Sequence, residues 1–145
     1  MRKRFIAPLS IVGTLLLGNC QKKEAGPAPA LTDKRWMLEQ VDGTPITVSS
    51  YSYDYNSFIQ FSVRNNDAFG LAACSSIKCS YALATSQRLT FSQLVTTPGS
   101  CSNLNVATSY LAALPKTERY EIKGSKLLLY DGISPGPRLV FKTSE

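Results

Sequence analysis

From Leu31 onward the apolar residues fall in short, mostly alternating runs cut by turn-forming residues at roughly 8–12-residue intervals. That spacing limits the chain to sequential strands, because an apolar face with a period of two is buried only by a sheet. Residues 34–40 read as a strand closed by Asp42-Gly43, and 58–63 place Ile59, Phe61 and Val63 on one face before Asn65-Asn66-Asp67. Residues 80–83 and 88–91 make two more strands around a polar break. Residues 120–122 and 126–130 form a hairpin in which Gly124 can supply a positive φ. A last strand, 138–141, follows the loop from Asp131-Gly132 to Pro135-Gly136-Pro137.

One segment departs from the pattern. Val106, Tyr110, Leu111 and Leu114 recur at helical spacing, with Asn103 or Asn105 available as N-cap and Pro115 as stop. The expected fold is therefore α+β and mainly antiparallel β. It is a curled sheet or partly open barrel of six or more strands with one packed helix. With 145 residues, one domain is expected, and no internal repeat is visible.

The net charge is +6, but Arg2, Lys3 and Arg4 contribute to it from the extreme N-terminus. Without residues 1–19 the chain has 13 basic and 10 acidic residues, a balance of +3 with no block of like charge suited to a phosphate backbone. Nucleic acid is not an expected partner. The absence of histidine excludes Ser-His and Cys-His nucleophile activation and histidine-ligated metal sites.

The basic start is followed by an apolar stretch from Phe5 to Gly18, the layout of a secretory signal peptide. The stretch is short of the ~20 residues that span a bilayer comfortably. It ends in Leu16-Leu17-Gly18-Asn19-Cys20, which resembles the lipobox of bacterial lipoproteins, with Asn19 where Gly, Ala or Ser is usual. The resemblance implies cleavage after residue 19 and acylation of Cys20, which becomes the new N-terminus. Acyl chains contribute ~0.8 kcal/mol per buried methylene, so two or three hold a domain at a bilayer. Gln21 in place of Asp implies, from lipoproteins generally, the outer membrane and its periplasmic face. A soluble periplasmic protein with Cys20 incidental is the alternative. Residues 20–30, the acylated cysteine followed by a polar and then Gly/Pro/Ala-rich run, read as a tether.

An ordered series follows in residues 31–145: Trp36-x-Leu38, Phe61, Gly70-x-x-x-Cys74, Tyr81, Leu89-x-Phe91, Thr97-x-x-x-Cys101, a helix ending at Leu114, Tyr120, Leu127-x-Leu129 and Leu139-x-Phe141. It resembles the META domain, the family of the heat-shock HslJ-like envelope proteins. Two departures stand out: the family's Gly-Cys-Asn is Ala73-Cys74-Ser75, and Gly99-Ser100 replaces the Met-Ala before the second cysteine. The resemblance implies a role in envelope integrity or stress tolerance with no defined reaction. It also implies a disulfide between Cys74 and Cys101, worth ~3 kcal/mol through the loop it closes. Cys79 is left over, and Cys79 to Cys101 is the competing pairing.

Other candidate sites carry less. Ser75-Ser-Ile-Lys78 matches the S-x-x-K nucleophile motif, but serine and lysine are common enough here to produce such a match by chance, and the companion motifs are missing. The carboxylates are scattered, and no zinc site is expected because a fourth ligand is lacking. Trp36 and the phenylalanines are expected in the core. Tyr51, Tyr53 and Tyr55 alternate, so an extended segment places three phenols on one face, suited to a sugar or a protein partner. The expectation is a monomeric, non-enzymatic, lipid-anchored envelope module without cofactor or metal. Its partner would be an envelope protein, a glycan or an apolar ligand. The alternative is a carrier of a small apolar or lipid ligand in a half-barrel pocket.

Overall fold

The computed structural model describes residues 30–46, 57–100 and 104–143. These residues contain nine strands: β1 (Arg35–Val41), β2 (Thr44–Pro45), β3 (Phe58–Phe61), β4 (Asp67–Ala72), β5 (Ser75–Ala84), β6 (Arg88–Thr97), β7 (Arg119–Lys123), β8 (Lys126–Tyr130) and β9 (Leu139–Thr143). A helix α1 (Leu104–Ala113) and a 3₁₀ turn (Leu114–Lys116) lie between β6 and β7. Every pairing is antiparallel, and β1 pairs with β9, so the sheet curls into a ring. β2 is a two-residue extension beside β1. The narrowest seam is β6–β7, joined in register through Arg88 and Arg119 alone, and there the helical connection fills in, its 3₁₀ turn packing on β6.

Alternation puts Trp36, Ile59, Phe61, Leu89, Leu127, Leu129, Leu139 and Phe141 inside, each essentially inaccessible. Two bulges adjust the phase. A register shift between Leu38 and Gln40 lets Val41 face inward three residues after Leu38. In β6, two residues oppose one of β5 between the Lys78 and Ser80 pairings. Gln93 takes φ 54° there, and half-buried Leu94 follows Phe91 at the same spacing of three. Bulges of this kind bend a strand and increase its twist, which helps a sheet close on itself.

β4 went unread in the sequence because its inward face is Ala68, Gly70 and Ala72, too small to mark an apolar run. Those small residues leave room for α1, which packs on β1 and β4. β5 and β6 are longer than expected because polar residues occupy their outward positions. Asp42-Gly43 forms the β1–β2 turn with both residues at positive φ (47° and 80°), and Gly124 turns β7 into β8 at φ 59°. The α-helix ends at Ala113, two residues ahead of Pro115, which sits inside the 3₁₀ turn that follows.

Two core expectations need correction. Val63 lies beyond the end of β3, in the turn to β4, and is 46% exposed. Phe69 points outward from β4 and is 41% exposed, while Phe58 is half-buried beneath the Arg35 guanidinium, 4.2 Å from its ring centroid. Phe61, Phe91 and Phe141 are in the core, and Phe61 meets Tyr81 edge-on at 5.2 Å between centroids.

Candidate functional site

The sequence pointed to four places. Tyr51, Tyr53 and Tyr55, the acylation candidate Cys20, and Cys101 all lie outside the described residues. Ser75 and Lys78, the ends of the S-x-x-K match, are two positions of β5, a strand and not a helix N-terminus. The Lys78 ammonium lies 3.6 Å from the Asp67 carboxylate, on the outside of the sheet.

Cys74 is half-buried in the β4–β5 turn. Ala73 precedes it at φ 54°, held there by its backbone N–H donating to Ser57 Oγ at 2.8 Å. Gly99 lies against Cys74 so closely that a β-carbon at 99 would collide with the Cys74 carbonyl oxygen. Cys79 is a free, buried thiol. Burial, with the Asp67 carboxylate adding to it, pushes its pKa up to about 11, which disfavours the reactive thiolate at neutral pH.

The interior is packed shut where the helix meets the sheet. Tyr110 is fully buried, donates its hydroxyl to Phe58 O at 3.3 Å and stacks edge-on against Phe141 at 5.8 Å. Desolvation raises its pKa well above that of an ordinary tyrosine. Leu31, Ala68, Ala72 and Leu114 also have no accessible surface, so no water-sized void touches them.

An open hollow of about 470 Å³ lies outside the barrel, lined by Gln40, Asp42, Gly43, Ser134, Gly136, Pro137 and Arg138. Its chemistry centres on Arg138, just ahead of β9. The guanidinium donates to both oxygens of Asp42, through Nε to Oδ1 and through Nη2 to Oδ2 at 3.1 Å. Nη1 donates to Asp131 Oδ2 at 2.8 Å. Asp131 also accepts from the backbone N–H of Ser134 at 2.7 Å and of Ile133 at 3.1 Å. The Ser134 N–H and then Arg138 hold that carboxyl well below the usual range. A guanidinium shared by two carboxylates has no net charge to offer an anion, so the cluster clamps the β1–β2 turn to the β8–β9 loop. The Asp-Gly pairs flag both loops in the sequence, but nothing local announces that Arg138 joins them across 96 positions.

On the outer face of β7 and β8, Glu121 gathers Arg119, Lys123 at 2.9 Å and the Tyr130 hydroxyl at 3.1 Å. The Arg119 guanidinium lies 3.9 Å from the Tyr130 ring centroid. Among the described residues no three His, Cys, Asp or Glu side chains converge as metal ligands, and no helix is long and apolar enough to cross a membrane.

A closed antiparallel ring with one helix packed against it, bearing no assembled nucleophile and base among these residues, defines a small β-barrel module. The chain belongs to the META domain family, which it matches over residues 29–145. It is also similar to a protein from Burkholderia xenovorans solved by NMR, at 27% identity and a TM-score of 0.61, over 79% of this chain and 83% of that one. No curated protein matches it.

Proposed function

We propose that this META domain protein is a non-enzymatic, lipid-anchored envelope protein of the outer membrane, facing the periplasm, whose barrel serves as a binding or stress-protective module. What supports a non-catalytic role is the packed interior. Where α1 meets the sheet, Tyr110 and Leu114 have no accessible surface, and the one free thiol of the described residues is buried and held protonated. The same packing weighs against a carrier, which needs a void beside those residues.

Anchoring rests on the apolar segment ending at Cys20 and on the tether that leads into Leu31. We place a disulfide between Cys74 and Cys101, in keeping with the close approach of Gly99 to Cys74 and with Cys79 being free. Recognition is assigned to the tyrosines at 51, 53 and 55. Palmitate labelling in cells tests the anchor: the wild-type chain takes up label and Cys20→Ser does not. A wild-type chain without label refutes acylation.

A further inference from the structure

The up-and-down topology sends specific cations to one end of the barrel. β1 begins where β9 ends, with Trp36 opposite Thr143 and Met37 opposite Lys142. The turns β3–β4, β5–β6 and β7–β8 lie at that same end, because each joins a strand running towards it with one running away. The N-terminal segment enters there too: the Asp33 N–H donates to Phe61 O at 3.3 Å, and the Trp36 indole N–H to Leu31 O at 2.9 Å.

Lys34, Arg35, Arg64, Arg88 and Lys142 are all exposed at this end. Among the described residues none of them has a carboxylate within ion-pairing distance, although Arg35 rests on Phe58. Lys123 and Lys126 add to them but are paired with Glu121 and Glu39. Among the described residues the other cation without such a partner is Lys116, on the helical connection. Among the described residues the opposing charge at this end is Asp33, together with the paired Asp67, Glu39 and Glu121. Val63, exposed beside Arg64 at the tip of the β3–β4 turn, adds an apolar side chain. At the other end the corresponding arginine, Arg138, is locked between two carboxylates.

We propose that this end, with Lys34, Arg35, Arg64, Arg88 and Lys142, docks on the anionic phospholipid headgroups of the leaflet that holds the chain, fixing the barrel upright with its helix end away from the bilayer. The proposal rests on the lipid-anchor reading above. Each basic residue near an anionic surface is attracted to it, and the attraction fades within a Debye length. A tether of about 10 residues spans at most ~35 Å, which keeps the end within reach of the surface.

The test is lysine footprinting of the purified full chain in phosphatidylcholine vesicles with and without phosphatidylglycerol. Labelled peptides are read by mass spectrometry, together with the mass of the N-terminal peptide. Labelling of Lys34 and Lys142 should fall several-fold in the anionic vesicles, while Lys116, on the helical connection, stays unchanged, and 1 M salt should reverse the fall. The double variant Arg64→Gln/Arg88→Gln should weaken the protection of Lys34 and Lys142. Equal labelling of Lys34, Lys142 and Lys116 in both vesicle types, on a chain whose N-terminal peptide is acylated, overturns the docking and leaves the anchor intact. An unacylated N-terminal peptide overturns the anchor itself.

Discussion

The hydroxyl of Tyr110 donates to the carbonyl oxygen of Phe58 at 3.3 Å, tying the helix to the first residue of β3 across 52 positions of sequence. Gly70 packs against the same carbonyl from β4. One peptide group thus sets both the height of the helix and the residue allowed opposite it.

Removing the hydroxyl leaves the ring's packing in place and takes away one buried partner of a carbonyl. Tyr110→Phe is expected to cost about 1 kcal/mol, and Tyr110→Ala about 3–5 kcal/mol through the cavity it opens. Urea denaturation of both variants checks the ratio. Equal losses would mean that the hydrogen bond, and not the ring, seats the helix.

A β-carbon at position 70 would overlap the Phe58 carbonyl oxygen and press on its carbon, both backbone atoms that cannot swing aside. Gly70→Ala should therefore destabilise by roughly 2–3 kcal/mol as an overpacked site. Gly43 has open space around it and φ 80°, so Gly43→Ala should cost only its backbone strain, about 1 kcal/mol. Melting temperatures of the pair should fall in that order.

Glu121 is held at a pKa of about 2, first by Lys123 and then by Arg119. In the unfolded chain its pKa is that of a free glutamate, ~4.3. As pH falls below that value the unfolded state takes up a proton that the folded state does not, and stability drops until the folded group also titrates. Glu121→Gln should therefore lower stability at neutral pH, with the gap from wild type closing between about pH 4 and 2. A gap that persists at pH 2 would assign the loss to packing.

Cys79 is buried, and with a thiol pKa of about 11 it should resist iodoacetamide at pH 8 in the native protein and react on unfolding. Non-reducing peptide mapping should join Cys74 to Cys101. A Cys79–Cys101 peptide would show that the pairing is wrong.

How much the sequence discloses depends on side-chain size. Trp36, Leu38, Leu127, Leu129, Leu139 and Phe141 are large and alternate, so their strands are visible as a period of two, and Val106, Tyr110 and Leu114 mark the helix. Ala68, Gly70 and Ala72 alternate just as regularly, but they are small because a helix lies over them, and β4 stays hidden. Phe58 and Phe69 are large and point outward, and only the register of β3 and β4 shows it.

The amino-acid pattern by itself determined a mainly antiparallel, curled sheet with one helix, its META kinship and the turns at Asp42-Gly43 and Gly124, because these are written in the alternation and order of residues along the chain. The tertiary structure decided the closure of β1 on β9, the clamp of Arg138 on Asp42 and Asp131, and the gathering of unpaired cations at one end. These depend on which strands become neighbours, and that is set by the summed packing of the whole sheet and by no local segment of it.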